Sequence, residues 1–249
     1  MIKEFFSTVI YQPLYNLLAF AVGLTPGHSV FLAVVGVTVI VKAILLPFAH
    51  KSAKTQKSLR NIEPEIKKLK EKHKDNKEAQ SMAVMNLYKE HGVNPFSGCL
   101  LAFIQIPVIF GLYYVFWKGL AFGTSGVFDP NLLYSFISAP DVVNFSFWQF
   151  DLREKSILLA FLAAVSQYFQ MSLALPPVAD VSGEKSFSNE FKKSLNTQMR
   201  YVLPVIIGFV SYGFSAVVPL YWVTSNVFSI SHELWVRRQA KELLEPISK

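Results

Sequence analysis

Lys42 stands inside an apolar run, residues 30–48 (VFLAVVGVTVIVKAILLPF), and none of the other spanning runs contains an acid to pair with it. A charge at membrane depth costs about 2.5–3.5 kcal/mol on insertion scales. A cation kept there without a carboxylate needs water, a polar groove or a visiting anionic substrate. Its chemistry would be electrostatic, drawing acidic groups into an apolar layer. A second reading stays open. Lys42 lies about six residues from the end of its run, so about 9 Å deep at 1.5 Å per residue, and a lysine stem can snorkel across much of that with no further role.

Little else in the chain could do bond-making chemistry. His28, His50, His73, His91 and His232 are scattered over ends and loops, with no HExxH pair, no helix-borne aspartate pair and no phosphate-cradling glycine loop. No catalytic residue, metal site or cofactor is expected, and the chain is not expected to be an enzyme. The single cysteine, Cys99, excludes an intramolecular disulfide framework and is expected to pack as a small apolar side chain.

The elements that must position Lys42 are membrane helices. Of 249 residues, 52% are hydrophobic, 22 are Phe and only 16% are charged, against about a quarter charged in soluble domains. Besides 30–48, the apolar runs are 96–117, 156–175, 201–215 and 217–231. The last two are short for a span of about 20 residues. Together they make one stretch with Gly208, Gly213 and Pro219 that suits a tight helical hairpin turning near 215–219. The fold class is therefore all-α integral membrane, with five transmembrane helices at 28–48, 96–118, 156–175, 200–215 and 217–235. Residues 1–27 carry two readings. One is a signal peptide with Lys3 and Ala19-Phe20-Ala21. The favoured one is an amphipathic helix in the interface, presenting Tyr11, Tyr15 and Asn16 at headgroup level.

Charge orients the bundle. Residues 50–95 carry eleven Lys/Arg and 119–155 only two, against four acids; 176–200 and the tail after 231 carry four each. The amino end is thus expected outside and the carboxyl end inside, with 119–155 extracytoplasmic, 176–199 cytoplasmic and 236–249 a short basic tail. In the segment 49–95, Leu59, Ile62, Ile66 and Leu69 form one helical stripe and Met82, Met85 and Tyr88 a second, around a turn at Asp75-Asn76 and ending at Gly92. This is a cytoplasmic helical hairpin. Its charges read either as a solvated face or as a basic platform for anionic lipid headgroups or nascent-chain machinery, with Lys67, Lys68, Lys70, Lys72 and Lys74 as the contacts.

The ordered set of these pieces resembles the YidC-type membrane protein insertases of bacterial plasma membranes, with their mitochondrial and chloroplast relatives. It runs through Val41-Lys42, Leu46-Pro47, Glu63-Pro64-Glu65-Ile66, Leu87-Tyr88-Lys89 and Val93-Asn94-Pro95. It continues with Gly98-Cys99, Ile104-Gln105-Ile106-Pro107, Gly111-Leu112-Tyr113-Tyr114, Leu203-Pro204, Pro219-Leu220-Tyr221-Trp222 and Ser225-Asn226. The resemblance implies five helices around a hydrophilic groove open to the cytoplasm. It also implies a multi-pass location in the bacterial plasma membrane and insertion of nascent membrane proteins. The partners implied are nascent membrane-protein substrates, anionic lipids, and the ribosome, a targeting factor and a translocation channel, with no specific nucleic-acid sequence. The family's groove cation is usually arginine. Lysine, a point charge without arginine's planar fork, relies more on a wet groove.

Polar residues of the other helices fit such a groove: Gln105, then Gln167 and Gln170 on one face, then Ser225 and Asn226 with Trp222 one turn away. Each has a plainer reading as a hydrogen bond between neighbouring helices. A small membrane transporter or channel is the alternative function. It predicts substrate-coordinating carboxylates or paired broken helices, and neither is in the sequence.

Overall fold

The computed structural model of the chain describes residues 2–94, 97–116, 128–138, 140–175 and 194–242. In chain order its helices are α1 (Ile2–Phe6), α2 (Gln12–Leu24), α3 (Val30–Asn61), α4 (Glu63–Lys72), α5 (Lys77–Glu90), α6 (Ser97–Tyr114), α7 (Ile157–Ala174), α8 (Leu203–Gly213) and α9 (Val217–Glu242). π-helical turns join α1 to α2 (Ser7–Tyr11) and lead into α8 (Gln198–Val202). Among the described residues three helical stretches are long and apolar enough to cross a membrane: Glu4–Leu24, Val30–Ser52 and Ile157–Ala174. The chain is mainly helical, as expected. A small β-hairpin, β1 (Ser146–Phe147) and β2 (Phe150–Asp151), departs from the all-α reading. Most of the 176–199 segment and the last residues of the expected tail lie outside the described residues, as does the side chain of Cys99.

Contacts divide the chain into two units, Met1–Ile44 with Pro107–Lys249, and Leu45–Ile106. In the first, a core of Tyr15, Leu18, Val22, Val30, Val34, Val37, Val115, Phe128, Leu152 and Val217 joins α2, the start of α3, the end of α6, the 128–152 segment and the start of α9. Tyr15 and Asn16, expected at headgroup level, are instead buried under that segment. The Asp129 N–H donates to Tyr15 Oη at 2.5 Å. Asn16 Nδ2 donates to the Leu132 carbonyl (2.9 Å) and Asn16 Oδ1 accepts from the Tyr134 N–H (2.7 Å). Irregular backbone needs partners, and a primary amide offers both a donor and an acceptor. That explains a polar pair in an otherwise apolar helix.

α2 stops where Thr25 turns extended and Gly27 takes φ +62. α3 restarts with the Val30 N–H donating to the Asn144 carbonyl at 2.9 Å. α7 packs against both α8 and α9. A Cβ at Gly208 would stand 3.1 Å from Ala164 Cβ, so glycine there lets α8 approach α7 closely, as small residues do between membrane helices. The turn between α8 and α9 is at 214–216, earlier than the expected 215–219. Pro219 sits in the first turn of α9, where a missing N–H leaves no intrahelical bond unmade. Ile44, Phe110, Phe161, Phe169, Phe209 and Val227 face outward, a surface that suits lipid.

The second unit holds the end of α3, the helices α4 and α5, and the start of α6. α3 does not end near residue 48 but continues to Asn61. It breaks at Ile62 because Pro64 cannot donate to the preceding turn and crowds it. The hairpin core is Ile62, Ile66 and Leu87, flanked by Leu59, Leu69, Val84 and Tyr88. Burial raises the Tyr88 phenol, with nearby Glu63 adding to it. Asn76 caps α5 by accepting from the Glu78 and Ala79 N–H groups, and Gly92 at φ +61 follows its end. One expectation fails. Met82 and Met85 are 62% and 45% exposed. The inward direction set by Val84, Leu87 and Tyr88 leaves Met82 opposite the core and Met85 on its flank, at 100° per residue.

Candidate functional site

Lys42 lies twelve residues into α3, half-buried, and its Nζ donates to Ser229 Oγ of α9 at 3.4 Å. Ser229 spends its own proton on the Ser225 carbonyl (2.9 Å), so its oxygen lone pairs face the ammonium. The same device recurs one helix further on. Ser166 of α7 donates to the Ala163 carbonyl (3.0 Å) and accepts from Asn226 Nδ2 of α9 (3.0 Å). Hydroxyls that bond back to their own helix in this way become acceptors for a neighbour. Gln167, buried, donates through Nε2 to Gln170 Oε1 at 3.3 Å. The result is a polar seam joining α3 to α9 and α9 to α7 across otherwise apolar helices.

Local sequence explains the seam. Positions 225, 226 and 229 repeat at three and four residues and share one face of α9; positions 163, 166, 167 and 170 do the same on α7. Thr38, one turn before Lys42 on α3, is buried and donates to the Val34 carbonyl at 2.6 Å. Of the residues singled out from sequence, Lys42, Ser225 and Asn226 come together here, and Gln167 and Gln170 pair with each other. Ser225 and Asn226 are both buried. Ser229 and Ser166 were missed. The spacing of Ser229 from Ser225 and Asn226 was the available signal; Ser166 had only its place beside Gln167.

Trp222 sits one turn from Ser225 but lines an apolar cavity of about 400 Å³ between α6, α8 and α9, with Tyr113, Phe116, Phe214, Val217 and Tyr221. Gln105 is half-buried on α6 within the second unit. Lys67, Lys68, Lys70 and Lys72 line α4 and Lys74 follows it. Lys68, Lys72 and Lys74 are exposed; Lys67 and Lys70 are partly covered. Among the described residues no group of three His, Cys, Asp or Glu is placed to hold a metal.

The far end of α7 carries two cations. Arg237 of α9 donates through Nη2 to the Leu173 carbonyl and through Nε to Glu233 Oε1 at 3.0 Å. Arg200, ahead of α8, donates to the Leu175 carbonyl at 3.4 Å. Carbonyls at a helix C-terminus lack intrahelical donors and carry the negative end of the dipole, so both contacts are favourable.

Residues 22–243 match the family described as 60Kd inner membrane protein. The Clostridium tetani protein named Membrane protein insertase YidC is 32% identical over 213 residues, 86% of this chain and 84% of that one. Proteins of the same name from Pelobacter propionicus and Streptomyces avermitilis are 30% and 29% identical over 93% and 87% of this chain. The chain spans 39% and 53% of those two relatives' lengths.

Proposed function

The chain belongs to the 60Kd inner membrane protein family, and from that membership we propose that it is a membrane protein insertase, working in the bacterial plasma membrane on nascent membrane proteins. Its helices form five spans, with the amino end outside, the carboxyl end inside, and the α4–α5 hairpin in the cytoplasm. Residues 2–24 lie in the interface. The hydrophilic groove is built on the seam from Lys42 through Ser229 and Ser225 to Asn226, with Gln167 and Gln170 contributing further polar surface. The observation that carries this reading is Lys42, a cation on an apolar helix, held by Ser229 of α9 at 3.4 Å.

Insertion proceeds without nucleotide or cofactor. A nascent segment with a short hydrophilic tail enters from the cytoplasm, acidic groups of the tail are drawn toward Lys42, and the apolar segment moves out against lipid. The membrane potential contributes about 2.3 kcal/mol per charge per 100 mV. That falls below the cost of one buried charge, so the polar seam supplies the difference. The lysines of α4 meet anionic headgroups or the machinery that delivers the chain, including the ribosome, a targeting factor or a translocation channel. Purified protein in liposomes should insert a single-span substrate, and a stalled substrate should crosslink to a photoreactive residue at Ser229. Solute flux without insertion would instead favour a transporter.

A further inference from the structure

We propose that the β1–β2 hairpin is a membrane-interface anchor, with the Trp148 indole seated at the headgroup–acyl boundary of the leaflet in which α3 begins. The strands pair Ser146 with Asp151 and Phe147 with Phe150, leaving Trp148-Gln149 as a two-residue connection. Asn and Gly usually fill such connections. Here Trp148 takes φ +54, a left-handed conformation rare for a bulky residue, and its side chain is thrown outward, 83% exposed.

The hairpin beneath it is firmly held. Phe147 stacks on Phe31 of α3, centroids 3.5 Å apart and planes within 5°. Asn144 pairs with both sides of the α3 start, accepting from Val30 (2.9 Å) and donating to the His28 carbonyl (3.0 Å). Asp151 braces Arg153 at 2.6 Å, and the Arg153 guanidinium lies 5.3 Å from the Phe145 ring centre. The Ala216 N–H donates to the Glu154 carbonyl at 2.7 Å, tying the same segment to the turn that opens α9.

These contacts place Trp148 at the level where α3, α7 and α9 all begin. There the outward side chains change from polar loop to lipid-facing Leu32, Ile157 and Leu158, which are 43%, 74% and 48% exposed. Asp151, Arg153 and Lys155 supply charge beside it. An indole, with an apolar body and one N–H, favours that boundary over either phase alone. A lipid interface is therefore the occupant this surface fits. The stack on Phe31 makes the anchor a depth gauge for α3, and Lys42 lies eleven residues further along, about 16 Å at 1.5 Å per residue.

The test uses the full chain in liposomes with Trp117→Phe, Trp222→Phe and Trp235→Phe, leaving Trp148 as the only indole. Its emission should be blue-shifted, quenched most by lipids brominated near the glycerol end of the acyl chain, and unchanged as lipid is added. Water-like emission quenched by iodide and untouched by brominated lipid would overturn the proposal. Protection that disappears on dilution in lipid would also overturn it, and would assign the surface to a second copy. If the triple variant does not reconstitute, the difference between the parent and Trp148→Phe gives the same readout. None of these readings depends on insertase activity.

Discussion

Replacing Lys42 with methionine should make the protein more stable and less active. The apolar run ends at Phe48, inside the Val30–Ser52 candidate span, so Lys42 is twelve residues, about 18 Å, from its start and six residues, about 9 Å, from its end. A four-methylene stem covers much of that shorter distance, so snorkelling lowers the cost below its mid-depth value. Removing the lysine therefore relieves at most about 2.5–3.5 kcal/mol. Losing the hydrogen bond to Ser229 returns about 0.6 kcal/mol and the side chain's other contacts return more, so about 2–3 kcal/mol is the ceiling of the gain. Since 1.4 kcal/mol is about tenfold, the unfolding equilibrium should fall, by at most about a hundredfold. Stability would be read by steric trapping in bicelles, and function by insertion of single-span substrates with acidic or neutral tails. Lys42→Met should lose acidic-tail substrates selectively, while Lys42→Arg keeps them. A methionine variant that is stabilised yet inserts acidic tails normally would show that the charge has no role. A destabilised one would show that Lys42 is structural.

Three further outcomes follow from other contacts. A double-mutant cycle on Ser166→Ala and Asn226→Ala should give a coupling of about 0.6 kcal/mol and no more than about 1.7; zero coupling would remove Asn226 as a link between α7 and α9. Ile66→Ala opens the narrow hairpin core, at about 2 kcal/mol, so amide exchange should speed up in α4 and α5 while Ile157–Ala174 keeps its protection. The hydrogen bond from Arg153 holds the Asp151 carboxyl below its usual 3.8. Its contribution is present above that value and is lost as pH falls through the lower folded one. Acidification to below pH 3.8 should therefore loosen the β1–β2 hairpin, seen by Trp148 quenching. Asp151→Asn should be loose throughout and flat with pH.

What the sequence displayed depended on whether a signal was local. The hairpin stripe of Leu59, Ile62, Ile66 and Leu69, the Asn76 cap and the Gly92 stop are each written within a few residues, and each appears in the structure. The helices run past the expected span ends at 48 and 235 because hydropathy reports where the surroundings change, not where the backbone does. Lys51, Lys54, Gln56 and Leu59 are good helix formers, so α3 runs on through the change, as α9 does to Glu242. The burial of Tyr15 and Asn16 was illegible because their partners, Asp129, Leu132 and Tyr134, are more than 110 residues away. Of the seam, Lys42 was visible as a lone charge in an apolar run. Ser229 was not, since a serine in a membrane helix ordinarily bonds back to its own backbone and carries no outward mark.

The arginines on the end of α7 bear on how the fold keeps its topology. Positive charges flanking an apolar segment are what an inserting helix is sorted by, and during sorting they must be loose and hydrated. In the finished protein Arg200 and Arg237 are held rather than loose, each hydrogen-bonded to a carbonyl at the end of a helix that belongs to neither, while Arg237 keeps much of its surface in water. Charges of the kind that sort an inserting helix thus form a latch between α7, α8 and α9. Turning any one of the three over would mean unlatching its neighbours too.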